Sequence, residues 1–252
     1  MRIFENSKGR GRRWAALMGL VLFSGQVALA DCLKPTLYFK PIADRTPYAN
    51  CARKQMLTIH DDDNGRSFGI KLCPRFIQDA KIQGQATITY NGVRRVINVS
   101  GRNSQVWKLV PQKRCSYGYG VRNLCLIPFI SVAADLRHHK PGDVLFVKAL
   151  KGTQVPHPFK PKEWWTHDGN VVVTDRGGAI KGSNRFDFFI GTSDWQSSKF
   201  PWRPEVLRKV NPGMGQFSLS DKRECRVTFQ KVKSKEREQV LDKYEALLHQ
   251  GL

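Results

Sequence analysis

The amino-acid sequence predicts a mainly β fold, a barrel or a sandwich of short strands finished by one C-terminal helix. Three observations lead there. Between Met56 and Gly191 the chain is a succession of short β-type runs, turn signals separate neighbouring runs, and a sustained helical period appears only near the C-terminus.

Residues 1–30 stand apart from the fold. Arg2, Lys8, Arg10, Arg12 and Arg13 form a basic leader, Ala15 to Phe23 is apolar but too short for a stable membrane span, and Ala28-Leu29-Ala30 is a small-residue cleavage signal. We expect a signal peptide cut after Ala30 and an exported protein, periplasmic or secreted. Asp31 separates the cut from Cys32, which argues against lipid attachment, and no later stretch is long and apolar enough to cross a bilayer. Residues 31–54, rich in proline and polar side chains, lack sustained periodicity and read as an arm held by Cys32 and Cys51.

The expected barrel domain covers 55–195. Its β-type runs are Met56 to His60, Arg66 to Leu72, Ala86 to Tyr90, Val93 to Val99, Ser131 to Ala134, Val144 to Ala149, Val171 to Thr174 and Phe186 to Ile190. Asp63-Asn64-Gly65 and Asn91-Gly92 are turns that make hairpins of the first two pairs. Leu150 to Trp165 carries Pro156, Pro158 and Pro161 and reads as an exposed loop. Residues 196–252 form an extension in which Cys225 to Gln230 is one more strand. Val240, Leu241, Tyr244, Leu247 and Leu248 then share one face of a closing helix that ends before Gly251.

The chain carries a net charge of +21; without residues 1–30, 37 basic residues face 20 acidic ones, a net +17. Such a field draws polyanions. For an exported protein these are peptidoglycan or other anionic cell-wall polysaccharides. The basic residues are spread from Arg102 to Arg237 with no aromatic-interleaved motif, so no nucleic-acid partner is expected. All six cysteines (Cys32, Cys51, Cys73, Cys115, Cys125 and Cys225) follow residue 30, which points to disulfides with fifteen pairings open. Cys32 and Cys225, near the two ends, are placed to tie the termini to the body. No Cys-x-x-Cys spacing occurs, and His138, His139, His157 and His167 lack metal-type spacing. Asp61 to Gly65 looks like the start of a calcium loop, but Leu72 occupies the place of the bidentate glutamate. We expect no metal, no cofactor and a monomer, and find no Gly-x-Ser-x-Gly or phosphate-loop motif.

The most informative segment is Val171 to Gly191. A buried-type strand ends at Asp175, Gly177, Gly178 and Gly182 offer positions for positive φ or close backbone approach, and a second strand contains Asp187. Alternation puts Phe186, Phe188 and Ile190 on one face and leaves Asp187 on the other beside Phe189, a setting that raises a carboxyl pKa. Upstream, Ile127 to Ala134 is a strand ending at Asp135, followed by the Pro141-Gly142 turn.

Ala134-Asp135, Pro141-Gly142, the run from Asp175 through Gly177-Gly178-Ala179-Ile180-Lys181-Gly182, and Phe186-Asp187-Phe188-Phe189 together resemble the three-aspartate (3D) domain family, whose best-known enzymes are the murein lytic transglycosylases of type A. The resemblance is clear over Pro128 to Thr192. It implies a six-stranded double-psi β-barrel, here with a disulfide-tied N-terminal arm and a C-terminal α-helix, and peptidoglycan as substrate. It also implies Asp187 as the catalytic residue. On that reading Asp175 and Asp135 orient the sugar or the motif loop and tune Asp187. Gly177 and Gly178 shape the binding turn, and Lys181 and Arg185 meet substrate carboxylates. Strand-end aspartates also accept turn amides with no further role, so Asp135 and Asp175 stay open between the two. The alternative function is a non-catalytic polysaccharide-binding double-psi barrel or a secreted effector.

Overall fold

The computed structural model describes residues 31–44, 48–49, 51–52, 55–61, 65–100, 106–111, 115–160, 162–192 and 228–250. The expected signal peptide, the Asp62-Asp63-Asn64 turn and Cys225 lie outside them. In chain order the elements are β1 (Asp31–Cys32), β2 (Lys34–Tyr38), β3 (Leu57–Asp61), β4 (Ser67–Leu72), α1 (Pro74–Gln83), β5 (Gln85–Tyr90), β6 (Val93–Val99) and β7 (Val106–Leu109). They continue with β8 (Ser131–Ala134), β9 (Val144–Val147), β10 (Gln154–Pro156), β11 (Trp164–Thr166), β12 (Asn170–Arg176), β13 (Arg185–Phe189), β14 (Thr228–Lys231) and α2 (Ser234–Gln250).

The principal sheet has 7 strands in the order β1-β14-β9-β12-β8-β13-β2. β12 runs parallel to β8 and β13 parallel to β2, the other neighbours being antiparallel. Period-2 alternation sorts its faces. Val132, Ala134, Leu145, Val147, Val171, Val173, Phe186 and Phe188 all enter one apolar cluster, whereas Ala133 and Asp187 turn the other way. The six-stranded double-psi closure is not what the described residues display, because seven strands bond in one linear order. Both edges come from the segment read above as an arm. Pro35 sits in the edge strand β2, where a missing N–H is tolerated. Nor does Cys51 tie that segment down, since Cys51 and Cys73 are unbridged thiols facing each other.

Residues 57–109, expected to join the barrel, build a second sheet in the order β4-β3-β7-β6-β5. Ile59, Ile88, Ile97, Phe76 and the fully buried Trp107 fill its own core. The β5–β6 hairpin turns as expected at Asn91 (φ 51°) and Gly92 (φ 73°). Helix α1 was not anticipated, although Pro74 opens it, Phe76, Ile77 and Ala80 form its buried stripe, and Gly84 closes it at φ 77°. The expected loop from Leu150 to Trp165 is largely the β10–β11 hairpin.

Helix α2 lies on the principal sheet through Val240, Tyr244 and Leu248, packed with Ile127, Ile130, Val144 and Val172. The Tyr244 hydroxyl donates to the Cys125 carbonyl, and Arg237 Nε donates to the Gly142 carbonyl at 2.9 Å. A disulfide joins Cys115 to Cys125 across a sequence separation of 10 and shapes the loop between them. Replacing both cysteines by alanine is expected to cost about 2–4 kcal/mol, because the unfolded chain regains the freedom of that loop. Urea unfolding of the double variant checks this.

Candidate active site

The second face of the principal sheet carries a row of four residues. Asp175 on β12 pairs with Ala133 on β8, Ala133 with Asp187 on β13, and Asp187 with Thr36 on β2. Directly paired residues point to the same side, so both carboxylates project from one face with only a methyl group between them. Two strand spacings put their Cα atoms about 10 Å apart. A bulge produces this alignment. Val173 pairs with Val132 but Asp175 with Ala133, so Thr174 is an extra residue on β12. In a regular ladder Thr174 would pair with Ala133, and Asp175 would pair with Ala134 and turn into the apolar core. Bulges re-aim side chains in this way.

The two carboxylates differ in their partners. Asp175 Oδ1 accepts the Arg176 N–H at 2.8 Å and Oδ2 accepts the Tyr38 hydroxyl at 3.3 Å. Burial pushes its pKa up, opposed by these bonds and by the nearby Lys40 charge. Asp187 Oδ1 is buried with no hydrogen-bond partner. Burial raises its pKa too, and the Arg185 charge opposes this. Tyr38 packs against Phe189 at 5.1 Å between ring centroids, and burial with the Asp175 charge holds its hydroxyl well above the usual tyrosine range. Lys40 Nζ lies 5.6 Å from the Phe189 ring centroid, has no hydrogen-bond partner and belongs to a residue only 1% exposed. Burial lowers that amine from 10.5 to about 7, against the pull of Asp175.

Asp135 is held differently. Its carboxylate accepts from Arg137 N, Nε and Nη2 and from Gly182 N. The Arg137 guanidinium and the Gly182 amide keep it far below the usual carboxylate range. The same turn is gripped from the other side, where the His139 ring stands 2.7 Å from the Ser183 carbonyl through Nε2. A carbonyl only accepts, so Nε2 carries the hydrogen. Asp135 and His139 thus fix Gly182, at φ 97°, and Ser183 immediately before the strand of Asp187.

A cleft of about 960 Å³ opens between the two sheets. Gln83, Gln85 and Asn98 line one wall; Tyr119, Gly120, Arg122, His139, Lys140, Asp175 and Arg176 line the other. Asp175 is the single acid in this lining, which also carries the bases Arg122, Lys140 and Arg176, so the cleft favours anionic groups. Asp187 lies two strands from Asp175, towards the β2 edge, and does not line it. Gly120 presses on the bulge: a Cβ there would stand 2.1 Å from the Thr174 carbonyl oxygen and 3.2 Å from Asp175 Cβ. Gly120→Ala must therefore displace backbone and is expected to cost about 1–3 kcal/mol. Gly178→Ala, where a Cβ meets nothing within 4 Å, is expected to stay within about 0.5 kcal/mol of the parent. Urea midpoints of the two variants test the contrast.

Of the residues singled out in the sequence, Asp175 and Asp187 share the face, and Arg185 acts on Asp187 from two positions before it. Asp135 sits at the supporting turn. Lys181 is exposed, Gly178 forms an open turn, and Gly177 is the glycine that is closely approached, a Cβ there lying 2.6 Å from Ile180 Cδ1. Tyr38, Lys40, Gly120 and His139 were not anticipated. Among the described residues no group of three or more His, Cys, Asp or Glu side chains is arranged to hold a metal ion, and no helix is long and apolar enough to cross a membrane.

Residues 130–199 match the family model of the 3D domain, and the match contains all three aspartates. No curated protein matches the chain. Similar solved structures include MltA from Escherichia coli with bound chitohexaose, at 13% identity and a TM-score of 0.44, covering 64% of this chain and 66% of that one. The lytic transglycosylase LtgG of Burkholderia pseudomallei is 16% identical with a TM-score of 0.35, covering 64% of this chain and 65% of its own. A membrane-bound lytic murein transglycosylase from Agrobacterium tumefaciens is 11% identical with a TM-score of 0.41, covering 84% and 75%. The chain therefore spans just under two thirds of the length of the first two.

Proposed function

We propose that this 3D-domain protein is an exported enzyme of the lytic transglycosylase type that cleaves the glycan strands of peptidoglycan, with Asp187 as its acid/base. One observation carries the reading. A carboxyl group on the face shared with the cleft acid Asp175 has a buried oxygen without a partner, and such burial raises its pKa and favours the protonated form.

Cleaving a β-1,4 glycosidic bond needs a proton for the leaving oxygen. Asp187 in its acid form donates it as the bond to the anomeric carbon breaks. The resulting carboxylate then takes the proton of the same sugar's 6-hydroxyl, whose oxygen bonds to the anomeric carbon and closes a 1,6-anhydro ring. Asp187 ends protonated, no water is consumed, and one group serves twice. Asp135 acts as a positioning residue through Gly182. Asp175 contacts the sugar from the cleft wall, and Arg122, Lys140 and Arg176 draw the carboxylates of the peptide stems. Arg185 sets the charge beside the acid.

Incubating the purified protein with peptidoglycan sacculi and analysing the products by mass spectrometry tests the reading. Muropeptides with 1,6-anhydro ends are expected. Products with free reducing ends would instead mean hydrolysis by an activated water. Intact sacculi that retain the protein would replace the enzyme with a non-catalytic wall-binding protein.

A further inference from the structure

We propose that Arg122 is the residue that selects anionic over neutral glycan in the cleft, and that the loop closed by Cys115–Cys125 is the frame that holds it in place. The role rests on the reading of the cleft as the glycan site and singles out the one base there whose backbone is fixed before a ligand arrives.

The loop is closed on itself. Cys115 and Cys125 bond across a sequence separation of 10, and both are buried, so the bond is a permanent brace rather than one that a passing thiol opens. Inside it the Gly120 N–H donates to the Leu124 carbonyl at 2.8 Å and the Leu124 N–H to the Val121 carbonyl at 3.1 Å. Arg122 and Asn123, between these bonds, both have left-handed backbone, at φ 53° and 58°. An arginine rarely adopts that conformation, and it persists only where the surroundings over-determine it. The loop is also wedged between the two sheets. On one side the Tyr119 carbonyl accepts Gln85 Nε2 of β5 at 2.5 Å, and a Cβ on Gly118 would stand 3.1 Å from Val96 Cγ1 of β6. On the other, Gly120 abuts the Thr174 carbonyl in the β12 bulge, and Tyr244 of α2 donates to the Cys125 carbonyl. The backbone of Arg122 is thereby set against both walls of the cleft.

Its side chain is exposed and lines the cleft, and none of the ion pairs among the described residues uses it. A guanidinium presents a rigid fork of donors that fits a carboxylate through two parallel hydrogen bonds. Of the other two bases, Arg176 follows Asp175 in the chain and lines the cleft beside that acid, and Lys140 offers a point charge on a flexible stem. Arg122 alone combines the fork with a braced backbone. The carboxylates of the peptide stems are the groups it would take, and a glycan without stems offers it none.

Equilibrium binding of two probes tests this, a soluble peptidoglycan fragment bearing peptide stems and chitohexaose, a neutral glycan of the same length. Every protein in the series carries Asp187→Asn, so that neither probe is consumed. Arg122→Ala is expected to weaken the stem-bearing fragment about tenfold, the worth of one charge-assisted contact, and to leave chitohexaose within about twofold. Cys115→Ala/Cys125→Ala keeps the arginine but frees its loop. It is expected to lose a similar factor on the same probe, and to add less than about twofold when combined with Arg122→Ala. Hydrogen exchange at the Gly120 and Leu124 amides should speed up in the cysteine variant. Equal losses on both probes, losses that multiply in the triple variant, or an unchanged affinity in Arg122→Ala each overturn the proposal. Thermal melts establish that the cysteine variant is folded; should it melt below the assay temperature, a two-glycine insertion after Asn123, with the disulfide kept, takes its place. The activity is decided separately with Asp187 intact. Arg122-dependent selectivity in a protein that releases no anhydro-muropeptides from sacculi sinks the transglycosylase reading and keeps the anchor, and release without that selectivity does the reverse.

Discussion

Asp187→Asn is expected to lower the rate of anhydro-muropeptide release by about 10²–10⁴-fold, the usual worth of a positioned acid/base, while sacculus binding persists. Asparagine keeps the shape of the side chain on β13 but has no proton to donate and no carboxylate to accept one. The variant has a second signature. Because the folded carboxyl is raised above its ordinary value of 3.8 by burial, the native state binds extra protons between 3.8 and that higher value, and the ionised group costs stability above it. Asp187→Asn should therefore be more stable than the parent at neutral pH, the advantage fading as pH falls through the raised value towards 3.8. Asp135→Asn should show the opposite sign. Its carboxylate is lowered by Arg137 and Gly182, so its contribution is present above the ordinary value and lost as pH falls below it. Urea unfolding at neutral and acid pH, run beside the product assay, separates the two aspartates. Destabilised Asp187→Asn at neutral pH would contradict the buried-acid reading.

Lys40→Met is expected to raise stability. Each tenfold change in proton affinity is worth about 1.4 kcal/mol, so the fall of the amine from 10.5 to about 7 corresponds to on the order of 5 kcal/mol opposing folding. Asp175 loses its neighbouring cation in the variant and takes back part of this, leaving a net gain of about 2–4 kcal/mol. The pH dependence follows from the two affinities. Below about pH 7 the amine is charged in both states and the full penalty applies. Between about 7 and 10.5 the unfolded chain binds the proton that the native state has released, so the parent gains stability as pH rises. The advantage of Lys40→Met should accordingly be largest at pH 6 and shrink towards pH 10. Denaturant unfolding across that range measures it, and a variant less stable than the parent at pH 6 would refute the prediction.

The features legible in the sequence are those fixed by local rules. Phe186, Phe188 and Asp187 sort onto opposite faces because a strand alternates, and Asn91-Gly92 makes a hairpin because both residues accept positive φ. Val240, Tyr244 and Leu248 mark α2 because they share a helical stripe. Helix α1 was also readable from Pro74 and Gly84, but its stripe is short and interrupted by Gln78, Asp79 and Lys81. β2 escaped because five residues that include a proline carry no period. The aim of Asp175 was not legible, since it depends on one extra residue whose presence appears only against the register of β8. Lys40 could not be recognised either. Its surroundings come from residues distant in sequence, and Tyr38, two residues before it, likewise reaches Asp175 across 137 residues. The partition into two sheets likewise follows from which strands pair, and strand periodicity does not choose partners.

The contact between β2 and β13 also fixes when the proposed site can first exist. Thr36 reaches the Phe186 carbonyl across 150 residues, and pairings so distant in sequence form late in folding. A chain made from its N-terminus holds Tyr38 and Lys40 early, yet nothing resembling a cutting edge exists until the residues after Gly182 have emerged and returned to meet them. Nascent or prematurely terminated chains then lack the proposed site by construction.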